Sequence, residues 1–251
     1  MSFALRRVRA VALATVAAVA TALPLAAQAT PTAQQLHDKY VAAIGGRAAW
    51  DRKVSMQQKQ SIVLGAMGNA TGELMTARAG RVVQKLVLPF GEILQGYDGT
   101  IAWMINPMQG AQIMEGKAGD AMRQAADWRL LTYAPGSYTS ATVVGPADFE
   151  GRKAWQVRTV PAIGPETMEY FDQETGLRLG ATAKVSGEMG EMDVRTVFRD
   201  YTAFGDVKLP KTVVVQNPVV GEFTVTVDAV EFDKVPESAF VLPDAIKALR
   251  K

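Results

Sequence analysis

The sequence predicts a mainly β fold with some α: a long antiparallel sheet curled into a barrel or half-barrel, with two appreciable helices against it. Three observations carry this. From about Val54 onward, apolar and polar residues alternate with period two. Turn-forming groups punctuate the alternation at the spacing of an up-and-down sheet: Glu150-Gly151, Glu174-Thr175-Gly176, Glu188-Met189-Gly190, Gly205-Asp206 and Asn217-Pro218. The strands also keep one apolar face in register, and a sheet with one wet and one apolar face must curl or be covered.

The first residues lie outside this pattern. Arg6, Arg7 and Arg9 form a basic head, Ala10 to Leu23 an apolar middle, and Ala27-Gln28-Ala29 a small-x-small site. That is the layout of a secretory signal peptide, expected to be cleaved after Ala29. The apolar run is shorter than the ~20 residues a spanning helix needs and is broken by Pro24. Cleavage removes three arginines and no acids, taking Lys plus Arg from 27 to 24 against 25 Asp plus Glu. A mature chain near −1 gives no electrostatic case for nucleic acid or for anionic lipid. With no cysteine in the chain there is no disulfide framework, no thiolate metal site and no thiol to carry a lipid anchor. The expectation is a protein exported to a bacterial periplasm, with no stable membrane insertion after cleavage.

Thr32 and Gln35 have capping-box spacing, and Ala33, Leu36, Tyr40, Val41 and Ile44 follow at helical intervals until Gly45-Gly46. Arg47 to Arg52 adds a turn around Trp50. Strands are expected at 55–67, 71–79, 81–88, 92–97, 100–106 and 112–114. Between the fourth and fifth, Asp98-Gly99 is a favoured hairpin pair, and Pro107 ends the fifth strand. Lys117 to Leu131 reads as an inserted helix with Ala118, Ala121 and Ala125 on its apolar face and Met122 and Trp128 as larger anchors. Strands resume at 139–144, 153–160, 167–172, 177–185, 191–201, 207–216 and 221–232. No Pro-, Gly- or Ser-rich linker divides the chain, so residues 30–251 read as one domain.

The apolar face carries Leu86 and Leu88, Trp155 and Val157, Leu177 and Leu179, Met192, Val194 and Phe198, and Phe223, Val225 and Val227. Opposite it lie polar residues such as Asp193, Arg195, Arg199, Glu222 and Thr224. So many strands enclose a concavity too large for their own side chains to fill, and an incompletely filled apolar concavity is a ligand site. Ile101, Trp103 and Ile105 share one face of their strand, which either lines that cavity with Trp155 and Phe223 or is buried against protein only. The inserted helix, with Met122, Ala125 and Trp128, is either a movable lid over the cavity or structural core.

Catalytic patterns are weak. His37, the only histidine, reads as an exposed helix residue beside Asp38. Neither Ser137 nor Ser186 has the glycine-flanked nucleophile elbow. Glu188, Glu191 and Asp193 could hold a hard cation but read as a solvated turn. There is no phosphate-cradling glycine loop or dinucleotide fingerprint. Neither catalytic residues nor a metal or cofactor site are predicted.

Several blocks together resemble the bacterial periplasmic lipoprotein-sorting proteins of the LolA and LolB type. They are the helix ending Ile44-Gly45-Gly46, the stretch GYDGTIAWMINP from Gly96 to Pro107, YFDQETGL from Tyr170 to Leu177, Asp200-Tyr201 through Leu209-Pro210, and FDKVPESAFVLP from Phe232 to Pro243. The resemblance implies a single-domain unclosed antiparallel β half-barrel covered by helices, with an apolar concave cavity for acyl chains. It also implies a soluble, non-enzymatic carrier of lipoprotein acyl chains or lipid, served by membrane-anchored donor and acceptor proteins. The alternative is an envelope sensor or protein-interaction module that uses the same half-barrel.

Overall fold

The computed structural model describes residues 30–187, 190–219 and 221–250. The expected signal peptide and the Glu188-Met189 turn lie outside the described residues. The first helix, α1 (Ala33–Ala43), starts at the anticipated capping box: Thr32 accepts from the Gln35 amide at 3.2 Å, and the Gln35 side chain accepts from the Thr32 amide at 2.8 Å. Gly45, at φ +114°, then reverses the chain so closely against the 205–206 turn that an added Cβ would sit 2.5 Å from the Asp206 carbonyl oxygen. A second short helix, α2 (Arg47–Asp51), follows, and the Trp50 indole donates to the Ile44 carbonyl at 3.2 Å.

Six strands come next: β1 (Ser55–Val63), β2 (Asn69–Ala77), β3 (Arg81–Leu88), β4 (Gly91–Tyr97), β5 (Ala102–Asn106) and β6 (Gly110–Met114). After α3 (Gly116–Ala125) and a 3-10 turn at Trp128–Thr132 come β7 (Tyr138–Phe149), β8 (Arg152–Pro161), β9 (Thr167–Asp172), β10 (Arg178–Gly187), β11 (Gly190–Phe204), β12 (Val207–Asn217) and β13 (Gly221–Phe232). A 3-10 turn at Glu237–Phe240 and α4 (Asp244–Lys247) end the chain. The thirteen strands form one antiparallel sheet in the order β6-β5-β4-β3-β2-β1-β13-β12-β11-β10-β9-β8-β7. It is unclosed. Its two free edges, β6 and β7, are consecutive in sequence, and the segment 115–137 crosses between them.

Register separates the faces of the sheet. Met56, Thr76, Val82, Tyr97 and Ala102 stand opposite one another across β1 to β5. Met56 packs in the cluster of α1, with Leu36, Tyr40, Ile44, Trp50, Val157, Phe171 and Val207. At the other end of that row, a Cβ built on Gly119 of α3 would lie 3.7 Å from the Ala102 Cβ. The helices α1 and α3 therefore share the inner face. Trp103, one residue on, points outward into a cluster with Ala77, Val83, Phe240, Leu242 and Ile246. Arg81 fixes this outer cover by donating to both Glu237 carboxylate oxygens, at 2.5 and 2.8 Å, with its guanidinium 4.9 Å from the Phe240 ring centroid. A third cluster, Phe149, Ala154, Leu179, Val197 and Val214, forms where Phe149 folds over Gly180.

Three expectations need correction. The inserted helix is not continuous to Leu131: α3 ends at Ala125, and Asp127 caps the next turn by accepting from the Arg129 amide at 3.0 Å. Ala118, Ala121 and Ala125 are exposed. The face that meets the sheet holds Gly119, because only a residue without Cβ approaches so closely; an added one would be 2.6 Å from the Met114 carbonyl oxygen. Finally, the Asp98-Gly99 hairpin is a four-residue loop rather than a two-residue turn. Asp98 Oδ1 accepts from the Thr100 and Ile101 amides at 2.8 and 2.7 Å, holding them out of the ladder until Ala102.

Candidate functional site: the concave face and its cleft

Strand alternation gives the inner face a run of half-buried apolar side chains. Phe198 of β11 stands opposite Val213 of β12, Val213 opposite Val225 of β13, and Val225 opposite Ile62 of β1. Alongside, Val215 stands opposite Phe223. Towards the β10 edge, Val194 stands opposite Ala183, and Met192 opposite Val185. Leu86 continues the face on β3, opposite Gly72 of β2, and Leu88 shares its side. Leu86, Leu88, Met192, Val194, Phe198, Phe223 and Val225 are all half-buried, and none belongs to a buried core cluster among the described residues.

Between α3 and the strands β9 to β11 lies a cleft of about 860 Å³. Ala118 and Ala121 of α3 form one wall; Thr167, Met168, Ala183 and Val185 form the other, and Gly164-Pro165 closes one side against Gln124. The exposed Ala118 and Ala121 of α3 thus belong to the cleft wall, not to the sheet contact. Asp120, Glu166, Lys184, Glu191 and Asp193 edge it with charge. Asp193 pairs with Lys184 at 3.1 Å, and Glu166 with Arg158 at 3.6 Å. The volume falls within the ~300–1,000 Å³ of typical ligand pockets.

The other sequence-predicted residues are distributed differently. Trp155 and Val157 face inward but pack under α1. Ile101, Trp103, Ile105 and Leu179 do not line the inner face. The first three lie under the C-terminal segment and Leu179 lies in the Phe149 cluster, so the shared cavity expected for Trp103, Trp155 and Phe223 is not formed. Sequence reasoning missed this because the covering residues Phe240, Leu242 and Ile246 sit in a stretch too short and irregular for a periodic pattern. Of the residues expected in a lid, Ala125 is exposed, Met122 half-buried, and Trp128 buried in the α1 cluster, with the Arg78 guanidinium 5.5 Å from its ring.

His37 is also a correction: it is fully buried, not exposed. Its ring stacks on Tyr133 at 3.8 Å between centroids, with Tyr138 and Phe171 around it, and neither ring nitrogen has a hydrogen-bond partner. Burial pushes its pKa down to about 4. Beside it, Glu169 accepts from the Tyr133 hydroxyl at 2.7 Å, from Arg178 at 2.7 Å and from Thr159 at 2.8 Å. This carboxylate is fully engaged, and among the described residues no nucleophile is hydrogen-bonded to His37.

Among the described residues, no helix is long and apolar enough to cross a membrane. No family model and no curated protein matches the sequence. Solved structures do match. A LolA superfamily protein of Nitrosomonas europaea aligns over 85% of this chain and 99% of its own, with a TM-score of 0.59 at 9% identity. A DUF1329 family protein of Desulfovibrio piger aligns over 84% and 98%, with a TM-score of 0.56 at 13% identity. A putative outer membrane lipoprotein-sorting protein domain of Vibrio parahaemolyticus aligns over 82% and 94%, with a TM-score of 0.53 at 13% identity. The unclosed antiparallel sheet with its inner helices is therefore the LolA-like fold.

Proposed function

We propose that this chain is a soluble, non-enzymatic periplasmic carrier that shields the acyl chains of lipoproteins or lipids in its concave cavity, after removal of residues 1–29 as a signal peptide. The observation that carries this is the 860 Å³ cleft beside rows of half-buried apolar side chains that no core cluster covers. Burial of a methylene contributes ~0.8 kcal/mol, so one long acyl chain gains roughly 10 kcal/mol before ordering costs, enough for capture without specific polar contacts. The fold it shares with a lipoprotein-sorting domain supports the same ligand class. Strand addition of a protein partner has less support. The long free edge β7 is blunted by bulges at 138–140 and 143–145 and by Pro146.

Native mass spectrometry of protein purified gently from its periplasm is expected to show acyl-chain adducts, and delipidated protein is expected to bind a fluorescent fatty acid. Met192→Asp with Val194→Asp places two charges on the inner face and is expected to weaken that binding at least ~30-fold, whereas Val87→Asp on the outer face leaves it unchanged. Absence of adducts together with no binding of added lipid overturns the carrier reading.

A further inference from the structure

Alternate hairpins of an antiparallel sheet turn at the same end. Four consecutive tips along one rim are the connections β5–β6, β3–β4, β1–β2 and β12–β13. Each presents a large apolar side chain to solvent: Met108 is 81% exposed, Phe90 57%, Met67 46% and Val219 53%. Val63 and Val87 stand exposed just behind them. The sequence around these tips holds no charged residue over 60–72, 86–91, 99–114 and 212–221. The opposite rim is the reverse, with Arg52, Lys53 and Asp206 paired in one group and Arg78 with Asp51 in another. The four tips themselves are bare of charge, and the first charged residues behind them are Glu92, paired with Lys85 at 2.8 Å, and Glu222.

The backbone of the tips is equally prepared to leave water. Pro89, Pro107 and Pro218 have no N–H to desolvate. The Leu64 amide donates to the Gly68 carbonyl at 2.9 Å, and the Met67 amide to the Leu64 carbonyl at 3.2 Å. Asn106 Oδ1 accepts from the Met108 and Gln109 amides at 3.0 and 2.7 Å, and Asn217 Oδ1 from the Val219 amide at 2.8 Å. Turns that satisfy their own polar groups enter a low-dielectric phase at small cost. Hairpins two strands apart place successive tips ~10 Å from each other, so the row extends over ~30 Å. Single side chains spaced along such a line fit a fluid apolar layer, which needs no complementary pockets.

We infer that this rim is a membrane-docking edge that dips its four hairpin tips into the headgroup and acyl boundary of a lipid bilayer. It would bring the carrier to the membrane from which lipid is taken or to which it is given, but bilayer contact does not depend on the cavity holding a ligand. Lys184 and Glu191, flanking the neighbouring β10–β11 connection, mark where the uncharged row stops.

The test is co-sedimentation of the full chain with vesicles of phosphatidylethanolamine and phosphatidylglycerol. Wild-type protein is expected to bind about equally at low and high salt, because the inserted tips carry no charge. Phe90→Glu with Met108→Glu is expected to bind at least ~10-fold more weakly, since interfacial binding scales with the apolar area inserted. Val144→Glu, equally exposed but on β7, is expected to bind as wild type. All three positions are exposed, and thermal unfolding checks that each variant keeps its fold. In Phe90→Trp, emission is expected to be quenched by lipids brominated near the headgroup boundary. Salt-sensitive binding, equal loss in Val144→Glu, or absence of binding overturns the inference, as does self-association abolished by the tip variants, which would make a second copy the occupant. Fatty-acid binding by the tip variants separates this outcome from a failure of the carrier reading.

Discussion

His37 occupies a site where a neutral ring is stable and a charged one is not. It has no solvent exposure, stacks on Tyr133, and lies near Glu169, which raises its pKa, and Arg178, which lowers it; desolvation by burial exceeds both. In the unfolded chain it takes up a proton near pH 6.5; in the folded chain, near pH 4. Between these values the unfolded state binds more protons, so stability falls as pH drops through that window and levels off below it. The loss from this group is about 3 kcal/mol. His37→Phe keeps the stacking and removes the ionisable nitrogens. Urea unfolding at pH 7.5 and pH 4.5 is expected to show a smaller acid loss in the variant than in wild type. Trp103 is a second case in which the residue's identity hid its setting: its face of the strand is as apolar as a cavity wall, but Phe240, Leu242 and Ile246 cover it. Phe240→Ala is expected to cost about 3–5 kcal/mol and to expose one further tryptophan to acrylamide.

The secondary elements were legible wherever period two ran long. β3, β9 and β13 begin and end where alternation and turn chemistry place them, and the capping box of α1 is formed as read. Elements set by tertiary contact were not legible. Nothing local told which face of α3 would meet the sheet, because Gly119 carries the close approach and a glycine is silent in a hydrophobic pattern. The concave-face residues on β3, β11 and β13 were readable from alternation, whereas the cleft wall of Ala118, Ala121 and Val185 was not, since it joins elements distant in sequence. This division bears on lid motion. Trp128 lies in the main core, so Trp128→Ala is expected to destabilise the whole domain by about 3–5 kcal/mol. Gly119→Ala instead drives an added Cβ against the Met114 carbonyl at the end of β6, 2.6 Å away, so α3 must shift. It is expected to raise hydrogen exchange within 116–125 and to speed fatty-acid release, with global unfolding nearly unchanged. Exchange of the α3 amides only through global unfolding would make α3 part of the core.

At the scale of the molecule, the chain's two halves meet at the β1–β13 pair in the middle of the sheet, and its only covalent link between the free edges is the segment 115–137. A single backbone cut within that segment severs no ladder between strands, so the two fragments are expected to remain associated on size exclusion after limited proteolysis. The link also acts as a buckle on a curved band. While α3 is wound, each of its residues spans only ~1.5 Å, and each unwound residue can pay out up to ~3.6 Å. Spreading the free edges therefore draws slack from the helix itself, so the gape of the half-barrel and the helicity of 116–125 vary together. A spectroscopic reading of one is a measure of the other.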